Sequence, residues 1–374
     1  TGGTALVAKT MGEGDGKRAR GLFSLIVYAT LIVGIVCGIV VFVAVGSVAG
    51  ALGAEGSLLE ECVVYGSILS FSLPFFMLQE TFQSLLTAAG KPKVGLCVMV
   101  VAGVANIALD ALFIIVFQWG LAGAALATAI SEVLGGAIPF FYFARPNSST
   151  LRLGRPLINV RALGRVCVNG SSELVSNLSM SLVSMVYNFQ LMAYIGPDGV
   201  AIYGVIQYVA WIAVSLLMGF TVGSSPIISY HYGAKNASEL KGLFHTCLGV
   251  MVAGGVLITV LVHLFAHPLA AVFVGYNPAL CEMTVAALGE YSLAFIFVGV
   301  SIFGSAFFTA LNNGLVSALI SFLRTLVFEC AAVMFLPAII GVDGIWLSIV
   351  VAEIASMFLT CGFLVGLRKH YDYA

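Results

Sequence analysis

Val94 to Phe117 reads VGLCVMVVAGVANIALDALFIIVF, and from Gly120 to Ala144 the chain continues GLAGAALATAISEVLGGAIPFFYFA. A helix rises ~1.5 Å per residue and ~20 apolar residues cross the hydrocarbon, so both runs are of spanning length. The Gln118-Trp119-Gly120 bend joins them into a tight helical hairpin. Asn106 and Asp110 are four apart and share a face of the first helix. Asp110 lies eight residues before the bend and Thr128 about nine after its midpoint, so both sit roughly 12–15 Å in from the same membrane surface. Glu132 is one turn deeper, level with Asn106. A carboxylate at such depth costs at least ~2.5–3.5 kcal/mol unless it is paired, hydrated or ion-bound, so these polar groups read as functional. Asn and Thr oxygens beside one carboxylate suit a hard cation or a proton, which makes Asp110, Asn106 and Thr128 the expected cation site.

The rest of the chain has the same character. It is 60 % hydrophobic and 9 % charged, against about 25 % charged in soluble domains, which predicts an all-α polytopic membrane protein. The net charge of −1 singles out no partner, and nothing suggests nucleic acid. Eight cysteines stand singly, without CxxC or Cys/His clusters, so neither disulfides nor a metal centre is expected. No positively charged n-region of the kind that opens a signal peptide precedes the first apolar residues.

Apolar runs predict ten spans, at roughly 21–50, 60–89, 94–118, 120–144, 164–194, 198–232, 243–276, 282–311, 315–340 and 343–367. Alternate loops hold 15 of the 16 Lys and Arg residues, and the intervening loops hold none. The charged loops are therefore expected in the cytoplasm together with the C-terminus, in a multi-pass protein of the cell membrane. On this orientation an impermeant thiol reagent is expected to reach Cys281, just outside, before Cys167. The remaining cation, Arg324, is expected to snorkel to the cytoplasmic surface, with Glu329 as an alternative partner.

An internal repeat underlies the pattern. Gly2, Gly12 and Gly21-Leu22-Phe23 recur 221 residues later as Gly223, Gly233 and Gly242-Leu243-Phe244. At the same spacing Gly120 recurs as Gly341, Gly123-Ala-Ala-Leu126 as Gly344-Ile-Trp-Leu347, and Glu132 as Glu353. Each repeat holds an even number of helices, six, so the two halves face the same way. This predicts a lobe over residues 1–145, a cytoplasmic linker over 146–163 and a second lobe over 164–374. Subtracting the offset from the start of the second half implies some 55–60 residues before Thr1, holding a first helix and most of a second. Asn106, Asp110 and Thr128 map onto Val327, Ala331 and Ile349, all apolar, so the trio belongs to the first half alone. Glu132 is kept as Glu353, which fits a role in architecture common to both.

Glu173, Asn177, Ser181, Ser184 and Asn188 draw one polar stripe along an apolar helix, and it must face protein or water. We read Glu173, Asn177 and Asn188 as a substrate-cavity wall, with Gln79, Gln83 and Glu132 as further cavity candidates. Gly34-x3-Gly38 reads as close helix packing. Two lookalikes fail. GEGDGKR lacks the glycine spacing and the Ser/Thr of a phosphate loop, and His263 and His267 have no carboxylate nearby to complete a zinc site.

Taken together, Gly12-Glu-Gly-Asp15, Thr87-Ala-Ala-Gly-Lys91, Asn106-x3-Asp110, Gly120-x2-Gly-Ala-Ala-Leu-Ala-Thr128 and Gly341-x2-Gly-Ile-Trp-Leu-Ser348, with the six-plus-six repeat, resemble the multidrug and toxic compound extrusion (MATE) transporters over nearly the whole chain. The resemblance implies a monomeric efflux antiporter that rocks between inward-open and outward-open states, not an enzyme and without a cofactor. It implies small, drug-like, mostly cationic amphipathic substrates exchanged for sodium or protons. In relatives that bind the coupling cation in the first lobe, an acid on the first helix joins Asn, Asp and Thr. The last three match Asn106, Asp110 and Thr128, and the first has no counterpart here. Glu173 falls near the start of the seventh helix, where some relatives carry a functional acid. A flippase for lipid-linked or polysaccharide substrates is the alternative, and it would need basic residues inside the bundle, for which only Arg324 qualifies.

Overall fold

The structure is a computed structural model and describes residues 2–51 and 53–373. Among the described residues it contains helices and no strands. In chain order these are α1 (Gly2–Gly12), α2 (Gly16–Ala51), α3 (Gly56–Ala88), α4 (Pro92–Asp110), α5 (Gly120–Ala144), α6 (Val160–Tyr194), α7 (Pro197–Gly233), α8 (Ala237–Val274), α9 (Pro278–Ser292), α10 (Phe295–Ala310), α11 (Gly314–Phe322), α12 (Cys330–Ile340) and α13 (Asp343–Tyr371). A π-helical stretch over Ala111–Val116 extends α4, and another over Leu323–Glu329 joins α11 to α12.

Among the described residues eight of these runs are long and apolar enough to cross a membrane, and α9 with α10, bent by 44°, makes a ninth. The tenth expected span, α6, has the length, at 35 residues, but not the apolarity. Arg161, Arg165 and the Glu173–Asn188 stripe lower it, as expected for a helix with one face turned to protein or water.

The repeat governs local geometry as well as sequence. Helices α2 and α8 begin 221 residues apart, at Gly16 and Ala237. Asp15 Oδ1 accepts the backbone N–H of Arg18, and its mate Asn236 accepts that of Glu239, so both helices carry the same N-terminal cap. GEGDGKR is thus a capped turn. Gly120 and Gly341 both hold positive φ, +54° and +72°, at the hairpin bend. Three residues on, a Cβ on Gly123 would stand 2.9 Å from Phe113, and one on Gly344 2.7 Å from the Leu336 backbone. The Gly-x2-Gly motif therefore supplies a left-handed turn and then a close helix approach.

Contacts divide the chain into two compact units, Glu13–Leu163, and Gly164–Ala374 together with Thr1–Gly12. In the first, α2 packs on α3, and α5 packs on both α3 and α4. The Gly34-x3-Gly38 reading holds, since a Cβ on either would meet Pro74 or the Ser70 carbonyl at 2.7 or 2.6 Å. Phe143 stacks on Phe82 and meets Phe23 edge-on to form the core. Residues of the expected linker, 146–163, are fastened to this unit. Leu151 is buried, Gly154 N–H donates to Ser24 Oγ, Leu157 N–H to the Gly21 carbonyl, and Arg20 to the Thr150 carbonyl.

The second unit differs from the expected boundary at its other end. Helix α1, expected in the first lobe, packs along α7. The reason is a pair of repeat-related glycines. A Cβ on Gly12 would lie 1.9 Å from the Tyr230 carbonyl, and one on Gly233 2.0 Å from the Lys9 carbonyl. Tyr230 is itself 221 residues after Lys9, so the contact is nearly self-complementary. Lys9 also lies over the Tyr232 ring, 5.0 Å from its centroid. Gly233→Ala is expected to destabilise the protein by about 1–3 kcal/mol through overpacking, whereas Gly242→Ala, with nothing within 4 Å, is expected to be neutral or stabilising. Thermal unfolding of the two purified variants checks this.

Candidate functional site

In the first unit α4 and α5 pack against each other and carry the expected cation residues. Asn106, Asp110 and Thr128 are all half-buried. The side chains of Asn106 and Asp110 make no hydrogen bond with another described residue, so their oxygens remain open to a ligand or to water. The π-helical stretch begins at the residue after Asp110. Such π-helical stretches recur where helices carry function.

Glu132 is placed differently. Its carboxylate accepts a short hydrogen bond from the Ser72 hydroxyl of α3, and no basic residue among those described pairs with it. Gln79, also on α3, fits over Gly135, where a Cβ would collide with its amide. Among the described residues its Nε2 reaches only the Met99 sulfur, and its buried Oε1 meets no partner. Gln83 is exposed. The structure thus brings Glu132 and Gln79 to the packed faces of α3 and α5 and leaves Gln83 outside them.

The second unit holds a partly open cavity of about 130 Å³. A water occupies ~30 Å³, so the cavity has room for waters or an ion. Glu173 and Asn177 line it, together with Thr221, Ser305, Ser321 and Arg324. Asn177 Nδ2 donates to the Glu173 carbonyl, which steadies the stripe one turn along. Asn188 lies half-buried further along the same helix, outside the cavity lining.

Sequence reasoning missed the ion pair that borders this cavity. Arg324 does not snorkel, and its partner is not Glu329. Its Nε donates to Glu353 Oε1 at 2.8 Å, and the Glu353 side chain is only 2 % exposed. A carboxylate on the adjoining span holds the guanidinium inside. Around the pair, Ser305 bonds to the hydroxyls of Ser317 and Ser321, each at 2.9 Å, and Thr309 to Ser317 at 2.7 Å. One sequence signal was available, since the repeated acid Glu353 is within two spans of the lone intramembrane cation.

The MatE family model matches residues 1–112 and 174–332, well over half of the chain. The chain belongs to the MATE family. It is therefore a multi-pass membrane transporter and not an enzyme. Similar MATE proteins include the multidrug export protein MepA of Staphylococcus saprophyticus, 24 % identical over 361 residues, covering 94 % of this chain and 77 % of that one. MepA of Staphylococcus haemolyticus is 24 % identical over 383 residues, covering 98 % and 81 %. Among solved structures, an outward-facing multidrug resistance MATE transporter superposes with TM-score 0.92 at 20 % identity, over 99 % of this chain and 83 % of that one. A transporter from Pyrococcus furiosus, described as having a binding pocket of reversed polarity, gives TM-score 0.92 at 21 % identity and the same coverage. At such identities these likenesses show the MATE fold alone.

Proposed function

We propose that this MATE protein is a secondary active exporter of small, amphipathic, mainly cationic compounds, driven by inward flow of Na+ or H+. The observation that carries the reading is the Asn106, Asp110 and Thr128 set, placed half-buried on two packed helices and replaced by apolar residues in the second repeat. Similarity to proteins named for multidrug export supports the substrate class. The flippase alternative requires a basic group free to meet a phosphate, and Arg324 is committed to Glu353. The protein acts as a monomer in the cell membrane. Export of a fluorescent organic cation from proteoliposomes under separately imposed Na+ and pH gradients tests the proposal. Export driven by neither gradient would reject it.

The basic loops favour a cytoplasmic C-terminus. Cys281 does not report on this in the way its sequence position suggests, because it is buried at 6 % exposure, one turn inside α9. Tyr276, in the turn between α8 and α9, is 80 % exposed. In a cysteine-free background, Tyr276→Cys is expected to react with an impermeant maleimide on intact cells. Restored Cys167 is expected to react only after permeabilisation, and the opposite order reverses the topology.

A further inference from the structure

The two repeats place the same carboxylate, Glu132 and Glu353, in different company. Glu353 is neutralised by the Arg324 guanidinium at 2.8 Å. In the first half the position equivalent to Arg324 falls on Ala102 or Gly103, depending on whether the offset is taken as 222 at the start of α4 and α11 or 221 at the hairpin bend. Neither residue carries charge, and among the described residues Glu132 is met only by the Ser72 hydroxyl. Removing an intramembrane carboxylate from water without a cation is costly. One half therefore has its cation built in, and the other leaves a place for one.

We propose that Arg324 is a tethered substitute for an exchangeable cation. In the first half the coupling ion fills the corresponding place, held by Glu132 with the Ser72 hydroxyl, and ion dependence is confined to that half. The inference rests on the cation-coupled reading above and adds a second carboxylate to it. Register supports the placement. Asn106 stands twelve residues before Gln118 and Glu132 twelve after Gly120, so on the packed α4–α5 hairpin they lie at equal depth. An ion there meets the Glu132 carboxylate and the Ser72 hydroxyl in addition to the Asp110 set, hard oxygen donors suited to Na+ or a proton. The second half offers no equivalent place. Arg324 both occupies the position beside Glu353 and lines the cavity that Glu173 shares, so its charge repels a cation from either acid.

The test is the thermal midpoint of the purified full-length protein as NaCl replaces choline chloride at constant ionic strength, and separately between pH 8 and pH 6. The unmutated protein is expected to respond to one of the two cations. Glu132→Gln is expected to raise the apparent dissociation constant for that cation at least tenfold. Arg324→Met is expected to lower the midpoint in choline and to acquire an additional cation-dependent rise. Arg324→Met/Glu353→Gln is expected to lose that added response, which assigns it to Glu353 rather than to Glu173. An unchanged response in Glu132→Gln overturns the inference, as does an Arg324→Met protein that gains no response. If Asp110→Asn abolishes the response while Glu132→Gln keeps it, the coupling reading survives and the tethered-cation inference falls. If the unmutated protein responds to neither cation, both fall. Should Arg324→Met fail to fold, the Glu132→Gln arm decides alone.

Discussion

Asp110→Asn is expected to insert and accumulate normally while losing cation-driven export by at least a hundredfold. The substitution keeps shape and one carbonyl oxygen but removes the charge that attracts the ion. Asp110 makes no hydrogen bond with a described residue and pairs with no described cation, so its loss leaves no partner stranded, and little destabilisation follows. What disappears is differential affinity. An ion can shift the equilibrium between two transporter states only by as much as it binds one more tightly than the other. Without the carboxylate that difference collapses, and the gradient no longer drives substrate outward. Thr128→Ala removes one neutral ligand and no charge, so it is expected to weaken the apparent cation affinity about three- to tenfold, in line with a single hydrogen-bond-sized contribution. Ala331→Asp is expected not to restore function to Asp110→Asn, because its repeat surroundings, Val327 and Ile349, supply no oxygen. Export in proteoliposomes, normalised to protein in the membrane, checks all three. Export by Asp110→Asn at the unmutated rate under both gradients would make the carboxylate structural.

The largest loss of stability is expected from Arg324→Ala. Breaking a buried ion pair by removing one partner costs about 3–5 kcal/mol, because the remaining charge is left uncompensated. Here that charge is Glu353, almost wholly buried at 2 % exposure. The reverse variant, Glu353→Gln, leaves Arg324 beside the hydroxyls of the cavity and is expected to cost less than half as much. Arg324→Met/Glu353→Gln removes both charges and is expected to recover most of the stability, since replacing a buried pair by neutral groups is often close to neutral. Thermal unfolding of the purified proteins in detergent, run without added sodium, separates these outcomes. A double variant as unstable as Arg324→Ala would mean that the pair is not the source of the effect.

Length and period make much of this fold legible in the amino-acid sequence. Nine of the ten expected spans correspond to helices or bent pairs of spanning character, because about 20 apolar residues have few alternatives to a membrane helix. The 221-residue offset anticipates that α2 and α8 share a cap and that Gly120 and Gly341 share a turn, since these are local backbone requirements written in single residues. The common face of Asn106 and Asp110 follows from helical spacing alone.

What the chain does over distance is not legible in the same way. That α1 joins the second unit depends on Gly12 and Gly233 meeting across two helices, and no local pattern says which helix a small-residue face will find. Cys281 is expected at a reactive surface and is buried, because hydropathy locates a helix end but not which side of it faces the core. The same ignorance of facing sends Arg324 to the membrane surface when only its sequence position is considered. Its choice of Glu353 over Glu329 is settled by the packing of α13 against the π-helical stretch, which sets a carboxylate within hydrogen-bonding reach of a guanidinium that the membrane would otherwise expel. Periodicity determines which residues share a helix face, and only tertiary packing decides what that face meets.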